Sequence, residues 1–137
     1  MLSTRATGWS SSTRSSRRKS SVTRNRGIAV SNTFRAGDEL PGGLAAFQTA
    51  RSAEVTYWLP GQGALAVGDV LLGAGAKPRA TREALRLCPE RWLGSKTHED
   101  LRASLRPLLD LPVERVLVSH GEPVLEGGAP ALAALLR

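Results

Sequence analysis

Histidine, cysteine and aromatic side chains are scarce in this chain. Its 137 residues include two histidines, His98 and His120, and one cysteine, Cys88. A single cysteine excludes an internal disulfide and suits a reducing compartment, so a cytoplasmic location is expected. Cys88 stands in a Leu-Cys-Pro context without a Cys or His neighbour, and reads as a small buried hydrophobe rather than a nucleophile. With aromatics at 4%, the core must come mostly from Leu, Val and Ala. No apolar run approaches the roughly 18 residues of a membrane helix, so no membrane partner is expected. A glycine-rich phosphate loop is absent, and the serines between Ser10 and Ser21 form no nucleophile motif.

Acidic residues are missing from Met1 to Arg26, where seven of the 19 basic residues fall. The rest of the chain carries 12 basic residues against 12 acidic ones, so the net charge of +7 belongs to the tail. Residues 1–26 are Ser-, Thr- and Arg-rich with almost nothing to bury, and read as a disordered basic tail. Three origins fit that composition: a phosphate-binding Arg/Ser arm, a presequence, or a stretch without selected function such as a mis-set start or shifted frame. The third is favoured. Nucleic acid is expected as a partner only through this tail, because the remainder has no basic excess.

Residues 27–137 read as one α/β domain. Gly27 to Val30 suits a short strand, and Phe34 to Gly43 is rich in turn formers. Leu44 to Thr49 and Glu54 to Leu59 read as strands. Pro60-Gly61 then turns the chain into Ala64–Val67, which makes a hairpin. The segment Arg79–Leu87 fits about two helical turns stopped by Pro89. Thr97 is a candidate N-cap with Asp100 completing a capping box, and Leu101, Leu105, Leu108 and Leu109 form the apolar stripe of the helix that follows. Glu114 to Ser119 reads as a strand buried on both faces, and Ala129 to Leu136 as a short apolar helix.

A strand, a helical connection and a second strand favour parallel pairing. Parallel pairing sets Asp69 and His120, each just past a strand end, at the same edge of the sheet, where open α/β sheets place their sites. Gly68-Asp69 also reads as an ordinary turn, and His120 as a hydrogen-bonded strand-end histidine. His98, Glu54 and Glu122 read as solvent-facing rim, and Arg82, Arg86 and Arg91 as a solvated face. Ser119 neighbours His120, but adjacent residues on a strand point to opposite faces.

The segments Ala64-Leu-Ala-Val-Gly-Asp-Val-Leu71 and Leu117-Val-Ser-His-Gly-Glu-Pro-Val124, with the hairpin Glu54–Pro60 and the loop Phe34–Gly43, resemble the C-terminal half of metallo-β-lactamase-fold hydrolases over about Val30 to Arg137. The resemblance implies a partial αββα sandwich, with Asp69 bridging two metals and His120 completing the second metal's shell. The implied metal is zinc, iron or manganese. The implied chemistry is attack of a metal-activated water on an ester, thioester or amide-like bond of a small-molecule substrate. The family's His-x-His-x-Asp-His motif is absent here, and Gln48-Thr49-Ala50-Arg51-Ser52 stands where a further histidine is expected. No catalytic residue is assigned, and the metal-ligand set is short enough that this chain is expected to hold no metal or to be a truncated or degenerate form, inactive alone. The alternative reading is a non-enzymatic domain that binds a ligand or partner. Half a sandwich leaves one sheet face uncovered, which a second copy of the chain could cover as a homo-oligomer.

Overall fold

A computed structural model of the chain describes residues 33–137. The expected disordered tail over 1–26 and strand over Gly27–Val30 lie outside the described residues. The described part is a mixed α/β domain. β1 (Ala45–Gln48), β2 (Val55–Leu59), β3 (Ala64–Ala66) and β6 (Arg115–Leu117) form a four-stranded sheet in that order. β4 (Leu71–Gly73) and β5 (Leu85–Leu87) form a separate antiparallel ribbon, and the helices are α1 (His98–Leu105) and α2 (Gly128–Leu136).

β2 is Val-Thr-Tyr-Trp-Leu, a run of β-branched and aromatic residues suited to a pleated, half-buried surface. It pairs antiparallel with β1 and with β3. The β2–β3 hairpin turns through a 3-10 turn at Pro60–Gln62. Gly63 closes it at φ 56, a left-handed conformation glycine adopts at no steric cost. β3 then pairs parallel with β6, Leu65 opposite Val116 and Ala66 opposite Leu117.

α1 starts as its sequence prescribes. The Thr97 hydroxyl accepts from the Asp100 amide, and the Asp100 carboxylate accepts from the Thr97 amide at 2.8 Å. These reciprocal bonds satisfy donors that a helix start otherwise leaves open. α1 ends at Leu105, earlier than the expected stop at Asp110, because Pro107 has no amide proton to extend the ladder. The chain continues as a 3-10 turn through Arg106–Asp110. That tighter winding keeps Leu108 buried but turns Leu109 outward, so the expected apolar stripe stops one leucine short.

The core lies between one sheet face and the helices. Trp58, Leu65 and Val116 from the sheet pack with Leu101, Leu105, Leu132 and Leu136. The other face carries Tyr57, Ala66 and Leu117 in register, and among the described residues no helix covers it. This corrects the expectation that the Val116–Val118 run is buried on both faces: Leu117 is 40% exposed on an edge strand.

A second correction concerns Arg79–Leu87, which is not a helix. Leu85 and Leu87 alternate with Arg86, and this period of two lets Leu85–Leu87 pair with β4. β4 has no counterpart among the sequence-based expectations. Cys88, wholly buried, anchors the ribbon to the site region through its amide, which donates to the Val70 carbonyl at 3.0 Å.

Candidate functional site

The parallel register decides where the site forms. Asp69 lies three residues beyond Ala66, and His120 lies three beyond its partner Leu117. The Val67 amide donates to the Leu117 carbonyl at 2.8 Å, so the two chains stay side by side past the strand ends. Asp69 Oδ1 consequently stands 3.1 Å from His120 Nε2. The Ser119 hydroxyl donates to the same Oδ1, also at 3.1 Å. Ser119 and His120 therefore converge on one carboxylate oxygen. They do not diverge as neighbours on a regular strand would, because β6 has already ended at Leu117.

The segment that carries His120 is pinned by backbone. The Gly73 amide donates to the His120 carbonyl, and the Glu122 amide donates to the Ala74 carbonyl, each at 2.9 Å. Gly121 holds φ +87, and a Cβ there would lie 2.5 Å from the Gly73 carbonyl oxygen. Glycine is required on both sides of this crossing because the two backbones touch.

Two residues that sequence reasoning set aside complete the cluster. Arg51 Nη1 donates to Asp69 Oδ2 at 2.9 Å and to Glu54 Oε2 at 3.3 Å. Glu54 is not rim: its side chain is 13% exposed, and Oε1 accepts from the Val70 amide at 3.1 Å. Its carboxylate lies against Gly68, where a Cβ would come within 2.8 Å of it. The sequence signal for this pair was an Arg and a Glu three apart in a turn facing a lone Asp, which is weak until the fold brings Asp69 across. Glu122 remains exposed, as expected. His98 is not simply solvent-facing, since its Nε2 lies 2.7 Å from the Cys88 carbonyl oxygen. Arg86 is half-buried and donates through Nη2 to the Ala76 carbonyl, whereas Arg82 and Arg91 are exposed.

The electrostatics follow from the pairing. The hydrogen bond from Arg51 holds the Asp69 carboxyl below its ordinary value, helped by Ser119 and by the nearby His120 and opposed by partial burial. The Arg51 guanidinium is correspondingly raised, chiefly by Asp69. A carboxylate held low is a weak base. His120 and Ser119 share one oxygen of Asp69, so the histidine does not stand between hydroxyl and carboxylate as a base relaying a serine's proton would. A shallow cavity of about 290 Å3 opens over Arg51, Glu54, Asp69 and Ser119.

The donor set is poor for a metal. Among the described residues no group of three or more His, Cys, Asp or Glu side chains converges. Asp69 and His120 are adjacent, but Asp69 Oδ2 already faces a guanidinium. A dication entering here would meet a fixed positive charge and two protein ligands, where catalytic zinc normally has three. The residues present do not fit a catalytic metal.

No family model matches the chain, and no curated protein matches it. Among solved structures it is similar to a metallo-beta-lactamase family protein from Thermus thermophilus, at 20% identity and a TM-score of 0.47. The match covers 74% of this chain and 32% of that one, so the chain spans about a third of that protein's length. A likeness of this size says nothing about activity. Among the described residues no helix is long and apolar enough to cross a membrane.

Proposed function

We propose that this chain, as it stands, is a degenerate metallo-β-lactamase-like half domain that binds a ligand or partner and does not hydrolyse by itself. The observation that supports this reading is the Arg51 guanidinium, 2.9 Å from Asp69 and 3.3 Å from Glu54. It supplies to the strand-end carboxylate the positive charge that a metal ion would supply, but it has no open coordination position with which to activate water. Asp69 and His120 are then structural partners at a sheet edge rather than metal ligands.

Elemental analysis and zinc titration of the purified chain, with Asp69→Ala and His120→Ala alongside, test the proposal. Zinc, iron and manganese are expected well below one per chain and indifferent to either substitution. One metal per chain, lost in both variants, would overturn it and restore the hydrolase reading. A second reading rests on the seven basic residues before residue 27, with no acid among them. It predicts polyanion binding that weakens steeply with salt and disappears when residues 1–26 are deleted.

A further inference from the structure

A cavity of about 460 Å3, sharing no lining residue with the one over Asp69, lies between the β5 strand and the start of α1. Arg79, Arg86, Arg91 and His98 line it together with the apolar rings of Pro78 and Pro89. Among the described residues none of the three arginines is within 4.0 Å of a carboxylate: the ion pairs fall on Arg51, His98, Arg106, Arg115 and His120. The nearest carboxylate by sequence, Glu90, accepts instead from the His98 amide at 3.0 Å.

Arg86 is the fixed member. It stands on β5 opposite Leu72, its Nη2 is held by the Ala76 carbonyl, and its Nε is buried with no acceptor among the described residues. An unpaired buried guanidinium donor is uncommon, because buried donors are nearly always paired. The His98 ring is also fixed. A carbonyl oxygen can only accept, so Nε2 donates to the Cys88 carbonyl, while Nδ1 lies 3.7 Å from Glu90 Oε2.

We propose that this cavity binds a small organic oxyanion, its phosphate or carboxylate group on Arg79, Arg86 and Arg91 and its apolar part against Pro78 and Pro89. Guanidinium forks match both headgroups with paired hydrogen bonds, and the volume lies within the roughly 300–1,000 Å3 of small-molecule sites. An apolar wall beside the charges strengthens the attraction by excluding water. The site is separate from the Arg51–Asp69 pair, so it stands or falls independently of the proposed function.

The test is a set of amide NMR titrations of the full chain with phenyl phosphate, benzoate and inorganic phosphate at low salt. Saturable shifts are expected at residues 86–91 and 98, with phenyl phosphate tighter than inorganic phosphate. The tighter of phenyl phosphate and benzoate identifies the headgroup. Arg79→Gln with Arg91→Gln should weaken binding at least tenfold and leave amides outside the cavity in place, whereas Arg35→Gln should change nothing. Equal affinity in the double variant and the wild type, or shifts confined to the basic segment before residue 27, would overturn the proposal. If the double variant misfolds, the wild type decides: affinity that does not fall with added chloride also overturns it.

Discussion

Arg51 Nη1 stands 2.9 Å from Asp69 Oδ2, and the guanidinium occupies the approach to the carboxylate from the side opposite His120 and Ser119, which share Oδ1. The pair joins the turn before β2 to the loop after β3. It therefore ties together two segments 18 residues apart at the sheet edge where the candidate site lies.

Removing the guanidinium should open the carboxylates to cations. In Arg51→Ala, Asp69 and His120 lose the positive charge that competes with a metal. Zinc affinity is expected to rise by about tenfold, equivalent to ~1.4 kcal/mol. Calorimetric titration of both proteins measures the ratio. An affinity unchanged or weakened in the variant would mean that Arg51 does not hold metal away.

Asp69 should make stability depend on pH in a definite direction. Its carboxyl is held below the ordinary value in the folded chain, mainly by Arg51. Its stabilising contribution is therefore present above the unfolded value of about 3.9 and lost as pH falls through the folded value. The side chain is 38% exposed, so solvent screening limits the pair to about 0.2–1 kcal/mol. Urea unfolding at pH 7 should find Asp69→Asn less stable than wild type by that amount, with the gap closing on acidification below pH ~3.9. A gap that persists unchanged in acid would assign the loss to something other than the charge.

How much of this was legible in the sequence depends on the range of the interactions. The capping box at Thr97 and Asp100 is local, three residues apart, and the structure forms it as expected. The meeting of Asp69 with His120 is long-range, yet it was legible because both follow apolar strands at equal distances and one parallel register aligns them. Arg51 and Glu54 were not, since nothing in a turn's composition says which carboxylate will cross over it. The β4–β5 ribbon failed for a related reason. Arg79–Leu87 has helix formers enough for a short helix, and only pairing with Leu71–Gly73 makes Leu85–Leu87 a strand. The exposure of Leu117 depends on which sheet face the helices cover, which no single strand encodes.

Cys88 should be chemically silent in the native chain. It is wholly buried, and burial pushes its thiol above the ordinary value, so little thiolate exists at neutral pH. A disulfide reagent should label it only as fast as the protein opens, and labelling should become immediate in urea. Rapid stoichiometric labelling of the folded protein would show that the wall between β5 and the Val70 carbonyl opens readily.

The crossing of Gly73 and Gly121 should be the least tolerant point of the site. A Cβ on Gly73 would overlap the Glu122 carbonyl oxygen, and one on Gly121 would meet the Gly73 carbonyl oxygen at 2.5 Å while also requiring φ +87. Neither contact can be relieved by rotating a side chain, because both partners are backbone. Gly73→Ala should therefore cost on the order of 1–3 kcal/mol, as overpacking does, and should shift the His120 ring resonances by moving the turn that carries it. Gly75→Ala is the control. Gly75 also has a positive φ, +76, but open space lies around its Cβ position, so only the left-handed backbone penalty of about 1–2 kcal/mol applies and His120 should stay in place. Urea midpoints give the stabilities, and the His120 Cε1 proton reports the turn. Should Gly73→Ala leave that proton where Gly75→Ala leaves it, the backbone crossing does not position His120.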